Sequence, residues 1–119
     1  MTEPEITIPG VNVDAGLEIV GDDMDFYLTV LKSYVDNTPA HLDKMRSVSR
    51  ENLSDYVIAV HGLKSISAGI GAEDVRDKAR SLELMAKEGD IAGVLAGNDG
   101  LLQLVETLIN DIRTCLKER

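Results

Sequence analysis

The chain has no tryptophan, one phenylalanine and three tyrosines among its 119 residues. Apolar residues nevertheless make up 44% of it, so the core must be assembled from Leu, Ile, Val, Met and Ala, which suits packed helices better than strands. The single cysteine, Cys115, excludes an internal disulfide framework and a cysteine metal site, and its place in an apolar stripe makes it a small core residue. No apolar run approaches the roughly 18 residues of a membrane span. Met1-Thr2-Glu3-Pro4-Glu5 holds no basic segment leading into an apolar one. Both observations point to a cytoplasmic protein away from membranes, and Met1 favours a free-standing chain. Cations are scarce as well: 12 Lys and Arg stand against 21 Asp and Glu, for a net charge of -9. This argues against nucleic acid, whose phosphates need clustered Lys and Arg, and favours a basic partner surface.

What remains is helical periodicity, in a length that suits one compact domain. Residues 1–12, with Pro4, Pro9 and Gly10, form an irregular lead-in, and residues 13–119 form the domain. Asp14 is expected to cap a short helix through about Val20, stopped by Gly21. Asp22 or Asp23 opens the next helix, whose apolar positions Phe26, Leu28, Val30, Leu31, Tyr34, Val35, Leu42, Met45 and Val48 keep helical spacing. Pro39 interrupts it and should kink it near Asn37 and Thr38 rather than break it in two, because the apolar register continues across it. Ser54 is expected to cap a third helix reaching about Gly69. Glu73 begins a fourth ending at Gly89, and Asp90 a fifth, which Gly97-Asn98-Asp99-Gly100 should divide. The expected fold is all-α: an antiparallel four-helix bundle, up-down-up-down, with an additional short N-terminal helix.

On a helical wheel, Tyr56, Ala59, Val60, Leu63, Ile66, Ser67 and Ile70 share one sector, the face that points into the bundle. His61 lies about 160° from its centre and should face solvent. Around it sit Val57, Ile58, Gly62, Lys64, Ser65, Ala68 and Gly69, a small and mildly apolar set. Gly62 and Gly69 each cost about 1 kcal/mol of helix stability relative to Ala. Bulkier residues there would keep another protein from the imidazole, while Val57, Ile58 and Ala68 supply contact area for it. Lys64 and Ser65 lie one turn beyond His61, within reach of a phosphoryl group on the ring, whose charge a cation and a hydroxyl could stabilise. Neither could cleave it. Phosphoryl transfer also needs Mg²⁺ held by clustered carboxylates and an in-line donor or acceptor, and no phosphate-binding glycine loop occurs in the chain.

The segment His61-Gly62-Leu63-Lys64-Ser65-Ile66-Ser67-Ala68-Gly69-Ile70-Gly71-Ala72 resembles the phosphoacceptor segment of histidine phosphotransfer (HPt) domains of two-component phosphorelays. That pattern runs His, any residue, Leu, Lys, Gly, then small residues, Ile or Leu, and Gly. The stretch from Asp14 to Gly21, with Asp22, Tyr27 and Leu31, also resembles the opening of that family, so the likeness covers most of residues 13–117. Ser65 stands where the family usually has Gly. The resemblance implies His61 as phosphoacceptor through Nε2, Lys64 as its charge partner, Leu63 as a core anchor and Gly71 as helix terminator. It implies a phosphoryl carrier in signal transduction, a monomer without catalytic apparatus of its own. Its partners would be response-regulator receiver domains, a sensor histidine kinase, or both. No cofactor is expected on this chain, Mg²⁺ being held by the partner receiver.

Other polar residues are read as structural. His41 is surface polar, with no third or fourth ligand to make a metal site with His61. Glu73, Asp74, Asp77 and Glu83 form a solvated helix face, and Met45 and Met85 belong to the core. Two competing functions are a docking module that binds receivers or kinases without being phosphorylated, and the dimerisation region of a sensor kinase. Monomeric behaviour and labelling at His61 separate the phosphocarrier from both.

Overall fold

The computed structural model describes residues 6–118, which fold into five helices. These are α1 (Val13–Ile19), α2 (Met24–Arg46), α3 (Leu53–Ile70), α4 (Glu73–Lys87) and α5 (Ile91–Lys117). There is no strand among the described residues. The α2 and α4 helices each pack against both α3 and α5, and α1 closes over α2 and α3. The core between them is aliphatic with three tyrosines, Tyr27, Tyr34 and Tyr56, all buried. No described helix is long and apolar enough to cross a membrane.

Several termini follow their local chemistry. The Asp23 side chain accepts the Phe26 amide at 3.1 Å, and that of Asp90 accepts the Gly93 amide at 2.9 Å, each satisfying an N-terminal donor that the helix leaves open. Two other caps differ from expectation. Asn12, and not Asp14, caps α1 by accepting the Ala15 amide at 3.0 Å. The α3 helix starts after Asn52, and not at Ser54. The Asn52 side chain caps nothing: it turns back to accept the Ser49 amide and to donate to the Ser47 carbonyl, so it holds the α2–α3 loop together.

Tertiary packing overrides two helix breakers. Pro39 lies within an unbroken α2, where the stripe Tyr34, Val35, Thr38, Leu42 and Met45 is buried on both sides of it. Shared burial outweighs the roughly 3 kcal/mol an interior proline costs. The α5 helix likewise runs straight through Gly97-Asn98-Asp99-Gly100. Asn98 is buried there, accepts the Tyr56 hydroxyl at 2.9 Å and donates to the Met45 carbonyl at 2.8 Å, so it ties α5 to α3 and α2. Phe26, expected in the core, is 53% exposed. It stands one residue off the buried stripe that starts at Tyr27, which turns it about 100° away.

The first five residues of the lead-in lie outside the described ones, but Ile6 and Ile8 are buried in the common core. The segment is irregular, as expected, yet part of the packed domain. Asn12 donates its amide to the Gly71 carbonyl at 2.7 Å, which brings the start of α1 against the end of α3.

Candidate functional site

The α3 helix is fixed along its inner face. Tyr56, Ala59, Val60, Leu63, Ser67 and Ile70 are buried and Ile66 is partly buried against them, the face the wheel placed inward. Two α2 tyrosines hold its C-terminal half: the Tyr27 hydroxyl donates to the Ile70 carbonyl at 2.8 Å, and the Tyr34 hydroxyl shares a 2.8 Å hydrogen bond with Ser67 Oγ. Burial pushes both phenols up to about 12, so they stay protonated near neutral pH. Gly71 ends the helix at φ 85°, a left-handed conformation that only glycine adopts without strain. A Cβ there would also run into the Asn12 carbonyl.

With its inner face so held, α3 presents His61 outward, its side chain 58% exposed. The ring is not a free surface imidazole. Its Nδ1 lies 2.8 Å from Oε2 of Glu83 on α4. Glu83 is also paired with Lys64, whose Nζ lies 2.7 Å from Oε1, and with Lys87, whose Nζ lies 3.1 Å from Oε2. The carboxylate itself is only 3% exposed. Burial alone would raise its pKa, but hydrogen bonds from Lys64, His61 and Lys87 outweigh burial and hold it at about 2. It is therefore ionised at neutral pH. A neutral imidazole beside it is held in the tautomer with the proton on Nδ1, which leaves the lone pair on Nε2. Among the described residues Nε2 has no hydrogen-bond partner.

Glu83 corrects the sequence reading, which put it on a solvated face with Glu73, Asp74 and Asp77. It belongs to the buried stripe of α4, with Val75, Ala79, Leu82 and Ala86. The signal was its spacing: Glu83 is four residues after Ala79 and three before Ala86, on the apolar side of the helix. Lys87 was missed altogether. Lys64 is where the spacing put it, one turn from His61, but its ammonium is engaged by Glu83 and its side chain is only 27% exposed.

The rest of the expected patch divides along two rows. Ile58, Gly62, Ser65 and Gly69 follow the row toward α2, and Val57, His61, Lys64 and Ala68 the row toward α4. Ile58 is 71% exposed and Ser65 is exposed, whereas Val57, Gly62, Ala68 and Gly69 are half-buried. Val57 packs on the core. Gly62 has a structural reason of its own: a Cβ there would lie 2.5 Å from the His41 ring. His41 is accordingly half-buried against α3 rather than a plain surface residue. Gly69 faces open space and lines a shallow groove of about 190 Å³ between α2 and α3, with Val30, Ser33, Tyr34, Asn37, Ile66 and Ile70.

What this arrangement can do chemically is limited and specific. It offers a nucleophilic imidazole nitrogen at the surface, a fixed anion behind the ring and two cations beside it. Compared with known proteins, the chain matches no family model, no curated sequence and no solved structure at a significant level.

Proposed function

We propose that this chain is a cytoplasmic phosphoryl carrier of the histidine phosphotransfer kind, a monomeric antiparallel four-helix bundle in the order up-down-up-down with α1 as an added cap. His61 accepts a phosphoryl group from a receiver-domain aspartate or a histidine kinase and passes it to another receiver aspartate. The observation that carries this reading is the exposed His61 ring with Nδ1 hydrogen-bonded to the buried carboxylate of Glu83.

The chemistry follows from that contact. The Nε2 lone pair forms a bond to phosphorus as the acyl P–O bond of the donor phosphoaspartate breaks and returns a carboxylate. No proton has to leave. The ring, now substituted on Nε2 and still protonated on Nδ1, carries a positive charge, and the Glu83 carboxylate stabilises it through the hydrogen bond already in place. Reversal onto a second aspartate uses the same contact. Mg²⁺ and the aspartates belong to the partner, so the chain acts as a carrier and not as an enzyme. The partner would approach over Ile58, Ser65 and the α2–α3 groove, with the half-buried Gly69 keeping that side low.

The test is incubation with phosphorylated receiver domains and Mg²⁺, comparing wild type with His61→Gln. Acid-labile, alkali-stable label on the wild type alone supports the reading. A folded wild type that binds receivers yet takes no label would make it a docking module.

A further inference from the structure

Resting on that reading, we propose that Lys87, and not Lys64, is the cation that contacts the phosphoryl group on His61, while Lys64 is a positioning residue that holds Glu83. Both ammoniums meet the same carboxylate, but not in the same way. Lys64 is 27% exposed and takes Oε1 to itself at 2.7 Å. Lys87 is 55% exposed, lies farther off at 3.1 Å, and shares Oε2 with the His61 ring. The ammonium that can turn toward a new anion at least cost is the exposed one on the shared oxygen, since a more buried ion leaves its partner only with a desolvation penalty.

The charges give an independent reason for two lysines. One carboxylate needs one ammonium, so with a neutral ring the group of Glu83, Lys64, Lys87 and His61 carries one surplus positive charge. Transfer adds a phosphoryl dianion and leaves the ring cationic, which brings the group to neutrality. Without Lys87 it would be neutral before transfer and negative after it, with nothing to offset the phosphoryl oxygens. A cation held against those oxygens stabilises the phosphorylated form by a charge-assisted hydrogen bond, and a more stable phosphohistidine is lost more slowly.

The experiment uses phosphoramidate as donor, so that no partner is needed, and follows the ³¹P signal and lifetime of phospho-His61 in wild type, Lys87→Ala, Lys87→Arg and Lys64→Ala. Lys87 is exposed and its replacement leaves the core intact. The expected result is a phosphohistidine lifetime shortened about three- to tenfold in Lys87→Ala, the range of a charge-assisted contact near the surface, with recovery in Lys87→Arg. Lys64→Ala removes the same charge but leaves Lys87 within reach of the phosphoryl oxygens, so it should shorten the lifetime less than Lys87→Ala does, while weakening the Nδ1–H signal of the His61 ring because Glu83 is less firmly held. A lifetime that falls in Lys64→Ala and not in Lys87→Ala overturns the assignment while leaving the carrier reading intact. A folded wild type that takes no phosphoryl on His61 removes the carrier reading, and this inference with it.

Discussion

Replacing Glu83 by Gln removes the charge that organises the site and leaves the side-chain shape nearly unchanged, so its consequences can be worked out. The carboxyl is held at about 2 against an ordinary 4.5. At 1.36 kcal/mol per tenfold, that difference is about 3 kcal/mol of preferential stabilisation of the charged form in the folded protein. Two of its three partners, His61 and Lys87, are more than half exposed, and solvent screening reduces the figure to about 1–2 kcal/mol. The sign follows from proton counts. Between pH 4.5 and about 2 the unfolded chain binds a proton at this position that the folded chain refuses, so stability rises with pH there. The contribution is fully present above the unfolded value and is lost as pH falls toward the folded one. Urea unfolding followed by far-UV circular dichroism, from neutral pH down to about pH 2, should show the stability gap between wild type and Glu83→Gln shrinking by about 1–2 kcal/mol across that window. Taking the difference cancels the other carboxylates. A gap that stays flat, or that widens as the pH falls, would refute the charge arrangement.

Three further outcomes check the scaffold around the site. Gly71→Ala should cost at least about 1–2 kcal/mol, because φ is 85° and the added Cβ meets the Asn12 carbonyl; a melting temperature lowered by several degrees tests this. Gly69→Ala should do the reverse, stabilising by about 0.5–1 kcal/mol, since the site is helical and open, while weakening receiver binding if the α2–α3 groove is the docking surface; calorimetric titration and thermal melts separate the two effects. Asn98→Leu strands the buried Tyr56 hydroxyl and the Met45 carbonyl and should cost about 2–4 kcal/mol in urea unfolding.

The parts of the fold legible in the sequence were those governed by short-range periodicity. The α3 face that buries Tyr56, Ala59, Val60, Leu63, Ser67 and Ile70, and with it the outward direction of His61, follows from spacing at about 100° per residue. Asp23, Glu73, Gly89 and Asp90 were legible because each is a local chemical signal at a helix end, whereas Gly71 was indicated by the family resemblance, local signals having ended that helix near Gly69. What could not be read was decided between helices. The α5 helix survives Gly97 and Gly100 because Asn98 is anchored to two other helices; the continuation of α2 past Pro39, by contrast, was legible in the apolar register on both sides of it. Gly62 reads as clearance for a partner until the His41 ring is seen over it. Glu83 was misplaced for the same reason: carboxylates are buried only when paired, and its partners lie on another helix and a turn away. The candidate histidine was thus visible in the sequence, and the group that sets its reactive nitrogen was not.

The carrier role stands or falls on where a phosphoryl group goes. The most direct measurement is to phosphorylate the protein from receiver domains in Mg²⁺ and identify the phosphorylated atom by ³¹P-coupled NMR of the imidazole. Phosphate on Nε2 of His61, absent from His61→Gln, is the predicted result. Label on Nδ1 or on another residue, or no label on a folded protein from any receiver or histidine kinase, would contradict it.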